Sequence, residues 1–287
     1  MAMADIPPVV LTIAGFDPSS GAGITADIKT IAAHACYGVS CITAMTVQST
    51  SGVKRVDPCD PALVRETLEE LASDLEIAAV HIGMLGSAKV ANAVADFLGK
   101  NGSNGGPMRN IVLDPILTSS SGARLLDPSG TRVLIDRLIP MADVATPNID
   151  EAAAITGLEV THLDGMRAAA AKLHDLGARA VVVTGGHLDK AIDLLSYTTP
   201  HGVEQEVFKA ERQRSSSTHG TGCAFATAMA CHLALDRGLA EATLLAKTYV
   251  SAAISNGQPL GKGTGPVHHL YRMNQQRRGA GTGSESS

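Results

Sequence analysis

Short apolar runs alternate with amphipathic segments along most of the chain. Apolar runs between turn signals predict buried strands, and apolar positions that recur at helical spacing predict helices. The predicted strands cover residues 9–14, 39–47, 78–82, 111–114, 143–145 and 181–184. The predicted helices cover residues 24–35, 61–74, 87–98, 129–138 and 161–176, with another opening near Ile149. This alternation is typical of an α/β fold with a mostly parallel central sheet, helices on both faces, and ligands at the carboxyl ends of the strands.

The last third of the chain departs from this alternation. Residues 193–197 and 203–207 predict a hairpin, because no helix-length segment separates the two runs. Two further helices are predicted to close the core, over residues 223–235 and 239–256. Composition does not shift in the middle of the chain, so we expect one domain over residues 1–273. Residues 274–287 are rich in Gln, Arg, Gly and Ser, which predicts a disordered tail.

Composition narrows the class of protein. The net charge is −5, from 23 basic and 28 acidic side chains, which argues against a nucleic-acid binder. No apolar stretch is long enough to span a membrane, and no signal peptide is visible at the N-terminus. The five cysteines form no CxxC pair and the ten histidines form no HExxH motif, so we expect neither zinc nor a disulfide framework. These features favour a cytoplasmic enzyme.

A glycine-rich loop, Thr218-His219-Gly220-Thr221-Gly222-Cys223, runs directly into an apolar helical pattern. Its backbone N–H groups would face an anion at the start of a helix. A cysteine in the same first turn is expected to have a lowered pKa, toward the thiolate. An anion site beside a base predicts the transfer of a phosphoryl group to a hydroxyl.

Three positions near predicted strand ends allow two interpretations each. The turn from Gly15 to Gly23 matches neither GxGxxG nor a Walker motif; it is either a tight packing turn or a close approach of backbone to a small ligand near Asp17. The Gln48 amide is either a turn residue or a donor–acceptor pair that recognises a polar heteroaromatic ring. Met84 is either core filler or a wall of the ligand pocket.

Oxygen-bearing side chains also gather at predicted strand ends. Asn148 and Glu151 are three residues apart and share one face of a predicted helix start, and Asp114 ends another strand. Hard oxygen ligands at one sheet edge would suit Mg²⁺. Each of these residues is equally consistent with a helix cap or a strand-end cap.

Taken together, these residues resemble the hydroxymethylpyrimidine/phosphomethylpyrimidine kinases of thiamine biosynthesis, in the ribokinase superfamily. The resemblance extends from Leu11 to about Tyr271, and the joint order of its motifs makes it specific. The matching segments are residues 12–24, 26–30, 37–38, 43–50, 82–85, 112–115, 146–148, 151–152, 185–187, 218–223, 261–263 and 265–269.

The resemblance implies a ribokinase-like three-layer fold, ATP and Mg²⁺ as cofactors, and a homodimer. It implies phosphorylation of 4-amino-5-hydroxymethyl-2-methylpyrimidine to the monophosphate and then to the diphosphate. The implied substrate contacts are Gln48, Gly15, Asp17, Ala22 and Met84. The implied nucleotide contacts are Asn148, Thr184, Gly186 and Lys262, with Glu151 and Asp114 at the metal. Gly220, Thr221 and Gly222 would form the anion hole, and Cys223 stands where most ribokinase relatives have an aspartate base.

The chain differs from the family pattern at two places. Thr184 stands where these kinases often have a lysine that reaches the ATP phosphates, so we expect the second phosphorylation to be the weaker step. Ser121-Gly122-Ala123 lacks an acid that often follows the Ser-Gly pair. The alternatives to a pyrimidine kinase are a pyridoxal kinase of the same fold and a non-catalytic pyrimidine-binding sensor.

Overall fold

A computed structural model describes residues 6–102, 106–186, 191–211, 213 and 215–273. Its centre is a nine-stranded sheet in the order β3-β2-β1-β4-β5-β6-β7-β8-β9. The strands are β1 (Val9–Phe16), β2 (Tyr37–Ser49), β3 (Gly52–Pro58), β4 (Ile77–Ile82), β5 (Ile111–Leu113), β6 (Val144–Ala145), β7 (Ala180–Gly185), β8 (Ala191–Thr199) and β9 (Gly202–Ala210). Strands β1, β2, β4, β5, β6 and β7 are parallel, and β3, β8 and β9 are antiparallel to their neighbours. The predicted α/β class and the predicted hairpin are confirmed.

Helices cover both faces of this sheet. They are α1 (Gly23–Ala33), α2 (Pro61–Asp74), α3 (Ala88–Asn101), α4 (Pro128–Val133), a π-helical turn (Leu134–Leu138), α5 (Ile139–Met141), α6 (Ile149–Thr156), α7 (Leu163–Asp175), α8 (Thr221–Ala234) and α9 (Leu239–Ser255). Helices α1, α8 and α9 pack on one face, around Tyr249 and Met229. Helices α2, α3, α6 and α7 pack on the other, around Phe97 and Leu113. The three layers expected from the pattern are therefore present.

Local signals in the sequence set several helix starts. Helix α2 begins at the predicted residue because Pro61 occupies its first position and the Asp60 side chain accepts from the Ala62 N–H at 2.9 Å. The predicted cap Ser87 accepts from the Val90 N–H and starts α3. The predicted helix 129–138 is divided, because its second half is the π-helical turn.

Strand β3 was not predicted, and it matters for the site. Its burial pattern is mostly exposed, and Lys54, Arg55 and Asp57 interrupt its apolar positions. Charged residues are typical of an edge strand, because they prevent it from pairing with other chains. They also interrupt the alternation of apolar and polar residues by which a strand is predicted from sequence. Because β3 pairs with β2, the Gln48 position faces Val53 across a hairpin.

A buried polar cluster joins four elements beneath the carboxyl end of the sheet. Asp27 of α1 accepts hydrogen bonds from Thr12 of β1 at 2.7 Å and from Thr227 of α8 at 3.0 Å. His81 of β4 lies 3.4 Å from the same carboxylate. The cluster ties α8 to β1, α1 and β4, so the start of α8 has a fixed position relative to these elements.

The predicted tail, residues 274–287, lies outside the described residues. Among the residues described, no helix has both the length and the apolar character that crossing a membrane requires.

Candidate active site

A cavity of about 1410 Å³ lies along the carboxyl ends of the parallel strands, where the fold class predicts a ligand site. It brings together all but one of the residues that the sequence singled out. These are Gly15, Asp17, Ala22, Gln48, Met84, Asp114, Asn148, Glu151, Thr184, Gly186, Gly220, Thr221, Gly222 and Cys223. Residues from most of the chain's length therefore converge on one cavity.

The exception is Lys262, which does not line the cavity. It is exposed in a loop whose neighbouring glycines contact the β2–β3 turn. The Gly263 N–H donates to Thr50 Oγ1 at 3.3 Å, and Gly261 packs on the same side chain with a left-handed φ of +75°. The loop packs beside the Gln48 end of the cavity, and the nucleotide contact of Lys262 stays a prediction.

Gly15 and Met84 form one wall of the cavity. A Cβ on Gly15 would lie 2.8 Å from the Met84 sulfur, so only glycine allows this approach. Gly23, which opens α1, has a φ of +58° and lies against the Gly15 carbonyl oxygen. The glycines of this turn therefore bring backbone close to the cavity, and Met84 is a wall of it.

The Asp17 carboxylate organises the first turn. Its Oδ1 accepts from the N–H and the hydroxyl of Ser19 at 2.8 and 2.7 Å. Its Oδ2 accepts from the N–H groups of Gly21 and Ala22 and lies 2.9 Å from His219 Nε2. Burial alone would raise the pKa of Asp17, but the hydrogen bonds from His219, Ser19 and Ala22 outweigh it and lower the pKa below its usual value.

His219 joins this turn to Gln48, and the sequence analysis assigned it no role. Its Nε2 lies 3.3 Å from the Gln48 amide nitrogen as well as 2.9 Å from Asp17. The imidazole side chain is only 13% exposed. The one signal available in the sequence was its place inside the glycine-rich loop.

The glycine-rich loop leads into helix α8, whose N-terminus has no side-chain cap among the described residues, as expected. Gly220 is the residue before α8, with a left-handed φ of +82°, and a Cβ there would collide with the Gly21 carbonyl oxygen. No side chain in the described part of the chain caps this N-terminus. The Thr221 N–H donates to the Thr218 carbonyl oxygen at 3.4 Å, and the following turn of α8 lines the cavity with Gly222 and Cys223, at a helix start that can meet an anion.

The pKa of Cys223 is the reverse of the expectation. Burial raises it well above the usual value, and the nearby carboxylates of Asp114, Asp27 and Glu151 raise it further. The Gly23 N–H favours the thiolate, but too weakly to compensate. The prediction of a lowered pKa was wrong, because burial, and after it three carboxylates from other elements, outweigh the helix terminus.

Asp114 and Glu151 form the acidic part of the cavity. Burial, Glu151 and Asp27, in that order, raise the pKa of Asp114 well above its usual value. Burial raises the pKa of Glu151 to about 7, although its side chain accepts from the Asn148 N–H at 3.0 Å. Within the described residues neither carboxylate forms an ion pair with a cationic side chain. Buried carboxylates without a cationic partner fit a divalent cation.

Asn148 and Glu151 also cap α6 reciprocally. The Asn148 side chain accepts from the Glu151 N–H at 2.9 Å, which completes the capping box. The structural interpretation of this pair is therefore realised. It leaves one Glu151 oxygen available, so a cap and a cation ligand are compatible.

The other end of the cavity contains an ion pair that the sequence analysis did not find. Lys247 Nζ of α9 lies 2.6 Å from Asp193 Oδ2 of β8, and both side chains are buried. Asp193 Oδ1 accepts from the Gly185 N–H at 3.0 Å. Thr184 and Gly186 line the cavity beside them. The buried ammonium group of Lys247 thus lies near Thr184, the position at which the resembling kinases often have a lysine.

The chain belongs to the phosphomethylpyrimidine kinase family, whose model matches residues 17–268. The chain is 43% identical over 270 residues to the thiamine biosynthesis bifunctional protein ThiED of Geobacter sulfurreducens, covering 93% of this chain and 53% of that protein. It therefore spans about half the length of that relative. It is 40% identical to the hydroxymethylpyrimidine/phosphomethylpyrimidine kinase of Streptomyces coelicolor, over 94% of this chain and 97% of that protein.

Solved structures agree with the fold. The pyridoxal kinase of Bacillus subtilis, in an ADP complex, has a TM-score of 0.82 at 33% identity and covers 93% of this chain and 100% of its own. The phosphomethylpyrimidine kinase of Clostridium difficile has a TM-score of 0.74 at 36% identity and covers 86% of this chain and 99% of its own. The predicted fold and the family resemblance are both confirmed.

Proposed function

We propose that this chain uses ATP to phosphorylate 4-amino-5-hydroxymethyl-2-methylpyrimidine, and then the monophosphate, in thiamine diphosphate biosynthesis. One observation carries the proposal: a single cavity contains the Gln48 amide and, across it, the uncapped start of α8 beside Cys223 and two buried acids. An amide can pair with a ring nitrogen and an amino group, and an open helix start can hold a phosphate. The names of the curated relatives support the same reaction.

The substrate end would work by shape and hydrogen bonding. Gln48 would pair with the polar edge of the pyrimidine, while Gly15, Ala22 and Met84 would enclose the ring. Asp17 would hold the turn that forms this wall. The backbone of Gly220, Thr221 and Gly222 would stabilise the transferred phosphoryl group, as anion holes do for charge that develops in a transition state. All six of these wall and loop residues line the cavity.

ATP and Mg²⁺ are the proposed cofactors. The buried Asp114 and Glu151 carboxylates fit Mg²⁺, with Asn148 beside them, and the ion would supply charge neutralisation of the phosphates. Thr184 and Gly186 would contact the nucleotide, near the buried Lys247. The ADP complex of the pyridoxal kinase with TM-score 0.82 supports a nucleotide in this fold.

Cys223 is the proposed base for the hydroxymethyl group. In the free protein its raised pKa keeps the proton on the sulfur at neutral pH. The acids Asp114 and Glu151, which raise that pKa, are also the proposed cation ligands. Positive charge held there would offset these carboxylates and favour the thiolate, so the thiol would release its own proton to solvent and could then take the hydroxymethyl proton only when the cavity is loaded.

A pyridoxal kinase is the second candidate, and one specific observation favours it: the high structural similarity to the Bacillus subtilis enzyme. Pyridoxal is similar in size to the pyrimidine and also bears a hydroxymethyl group. Gln48 favours the pyrimidine, because an amide can pair with a ring nitrogen and an amino group beside it. Pyridoxal has a ring nitrogen but no adjacent amino group.

A direct assay distinguishes the candidates. The protein is incubated with ATP, Mg²⁺ and the hydroxymethyl pyrimidine, its monophosphate or pyridoxal, and products are followed by phosphorus NMR. We expect the highest kcat/KM for the pyrimidine and a slower second phosphorylation, because Thr184 adds no charge at the phosphates. A higher kcat/KM for pyridoxal would assign the second function. Tight pyrimidine binding without ATP turnover would instead indicate a sensor.

We also propose that residues 1–273 form one kinase domain that acts in the cytoplasm as a homodimer. The single nine-stranded sheet supports one domain, and the free thiols support a reducing compartment. Ile42, Met45 and Val47 of β2 are exposed apolar side chains that a second copy could cover. Light scattering of the purified protein tests the dimer.

A further inference from the structure

His219 contacts both Asp17 and Gln48 through the same ring nitrogen, and this arrangement determines which atoms of the Gln48 amide face the ligand. His219 Nε2 is 2.9 Å from Asp17 Oδ2 and 3.3 Å from Gln48 Nε2. One ring nitrogen cannot both donate and accept through the same position. The location of a single hydrogen therefore decides what both neighbours can do.

Asp17 settles where that hydrogen is. Its side chain is 4% exposed, and the carboxyl group receives four other hydrogen bonds, from Ser19, Gly21 and Ala22. These donors favour the charged carboxylate, which can only accept. His219 Nε2 must then carry the hydrogen and donate to Asp17. Both the neutral Nε2–H tautomer and the imidazolium have this hydrogen, so the conclusion does not depend on the charge of His219.

The same hydrogen is incompatible with an N–H group of Gln48 at 3.3 Å, because two donors would face each other. A half-turn of the Gln48 amide exchanges Oε1 and Nε2, which have nearly the same shape. Oε1 then shares the His219 Nε2 hydrogen with Asp17, as the second and longer acceptor of a three-centre hydrogen bond. Nε2 then donates to Thr46 Oγ1, 3.2 Å from the other amide position, while the Thr46 hydroxyl donates to the Phe16 carbonyl oxygen at 3.0 Å. Every donor in this hydrogen-bond network, from His219 through Gln48 and Thr46 to Phe16, now faces an acceptor.

We propose that His219 is a positioning residue that fixes the Gln48 amide with Oε1 toward the imidazole and Nε2 toward Thr46. This inference rests on the proposed function, because Gln48 is its pyrimidine contact. One N–H of Gln48 and one lone pair of Oε1 remain for the ligand, in a fixed order along the amide. A pyrimidine edge with a ring nitrogen and an adjacent amino group matches that order in one orientation only. His219 therefore determines which way the ring lies, and hence whether its hydroxymethyl group faces Cys223.

The first experiment is a double-mutant cycle on pyrimidine affinity, measured by calorimetry without ATP. His219→Leu should weaken binding by about tenfold or more, the scale of one hydrogen bond in a buried site. In a Gln48→Ala background the same substitution should have little further effect. His219→Gln, which keeps a donor, should recover most of the affinity. His201→Leu, in the exposed β8–β9 turn, is the matched control and should bind as the wild type does.

If His219 acts by positioning Gln48, Kd for ADP, KM for ATP and the melting temperature should change little in His219→Leu, while the Kd for the pyrimidine rises. A merely structural role would change all of these quantities together. Equal losses at both ligands, or full additivity with Gln48→Ala, would overturn the proposal. An analogue that lacks the amino group should bind wild type more weakly than the parent pyrimidine and lose that difference in His219→Leu. An unchanged difference would also overturn it.

Nitrogen NMR of labelled histidine tests the hydrogen without any ligand. We expect the His219 Nε2–H signal in the free protein, and its loss or shift in Asp17→Asn. A bare Nε2 in the wild type would overturn the proposal even if the variants fail to fold. Failure of the wild type to bind any pyrimidine, with the Nε2–H present, would instead remove the proposed function and leave the hydrogen assignment intact.

Discussion

Glu151 and Asn148 cap each other at the start of α6, each accepting the other's backbone N–H at 2.9–3.0 Å. One carboxylate is thus used for structure and remains buried with a pKa raised to about 7. A raised carboxyl pKa means that the folded protein holds a proton that the unfolded chain releases at lower pH. That proton is a measurable property of the proposed metal site.

The first prediction concerns pH and Mg²⁺. Below pH 7 a cation must displace the Glu151 proton, so the contribution of Glu151 should lower the apparent Kd for Mg²⁺ by up to about tenfold per pH unit as pH rises toward 7, and this contribution should then level off. Without Mg²⁺ the free energy of unfolding should decrease as pH rises from 4.5 to 7, because the folded state binds more protons there. Calorimetric titration and urea unfolding across this range measure both quantities.

The variant Glu151→Gln should weaken Mg²⁺ binding and reduce both pH dependences. Glu66→Gln, on the exposed face of α2, is the control and should leave both unchanged. The same pH dependence in Glu151→Gln as in the wild type would show that another group holds the proton.

The second prediction concerns the buried pair of Lys247 and Asp193. Lys247→Met leaves the Asp193 carboxylate buried without a cation, which typically costs about 3–5 kcal/mol of unfolding free energy. The double variant with Asp193→Asn should recover part of that loss. The exposed pair of Arg237 and Glu241 is the control, and Arg237→Met should cost under about 1 kcal/mol. Urea unfolding measures each value, and equal costs at the two pairs would contradict the prediction.

Lys247 also lines the nucleotide end of the cavity. The stable double variant should therefore show a higher KM for ATP and an unchanged KM for the pyrimidine. A pyrimidine KM that rises as much as the ATP KM would mean that the pair acts on the whole cavity.

The third prediction concerns Cys223. Because its pKa is raised, its alkylation by iodoacetamide should be slow at neutral pH and should accelerate only in strongly alkaline solution. Glu151→Gln should lower the pKa of Cys223, since one repelling carboxylate is removed. Mass spectrometry of the labelled peptide separates this thiol from Cys59, which is also partly exposed.

Activity tests the base itself. Cys223→Ala should lower kcat by about a hundredfold or more, the usual scale for loss of a general base. A variant with a near wild-type kcat would leave positioning and the anion hole as the main contributions to the rate.

The fourth prediction concerns Gly15. A methyl group in Gly15→Ala would press on the Met84 sulfur, so KM for the pyrimidine should rise while KM for ATP stays constant. Met84→Ala in the same chain should relieve the contact and recover part of the pyrimidine affinity. Gly238→Ala is the control, because a Cβ there meets open space. Steady-state kinetics measure all three variants, and a wild-type pyrimidine KM in Gly15→Ala would place the ligand elsewhere.

Much of the fold was readable from the sequence because its signals are local. Helix α2 was predicted to the residue, since its cap and its proline are adjacent in the chain. The cavity-lining positions were readable because parallel strands bring their carboxyl ends to one edge. Strand β3 was not readable, because its exposed side chains follow no apolar pattern and only pairing with β2 defines it.

The parts that the sequence missed depend on distant partners. The role of His219 depends on its contact with Asp17, which is 202 residues away in the chain and cannot be inferred from local sequence. The ion pair of Lys247 likewise depends on Asp193, which lies on another element. The prediction for the pKa of Cys223 was wrong for the same reason, since burial in the folded protein and the carboxylates that the fold brings near the thiol raise this pKa, and neither is visible at a helix start in the sequence.

The contact of Thr50 with the loop around Gly261 and Gly263 has a consequence for synthesis of the chain. The turn beside Gln48 is held by residues that a ribosome adds more than two hundred positions later. Most of the sheet can pair before those residues emerge, but the Gln48 end of the cavity, the proposed pyrimidine site, cannot be completed until they do. A nascent or truncated chain that ends before Gly261 would therefore contain the strands of the kinase and lack a finished pocket for its substrate.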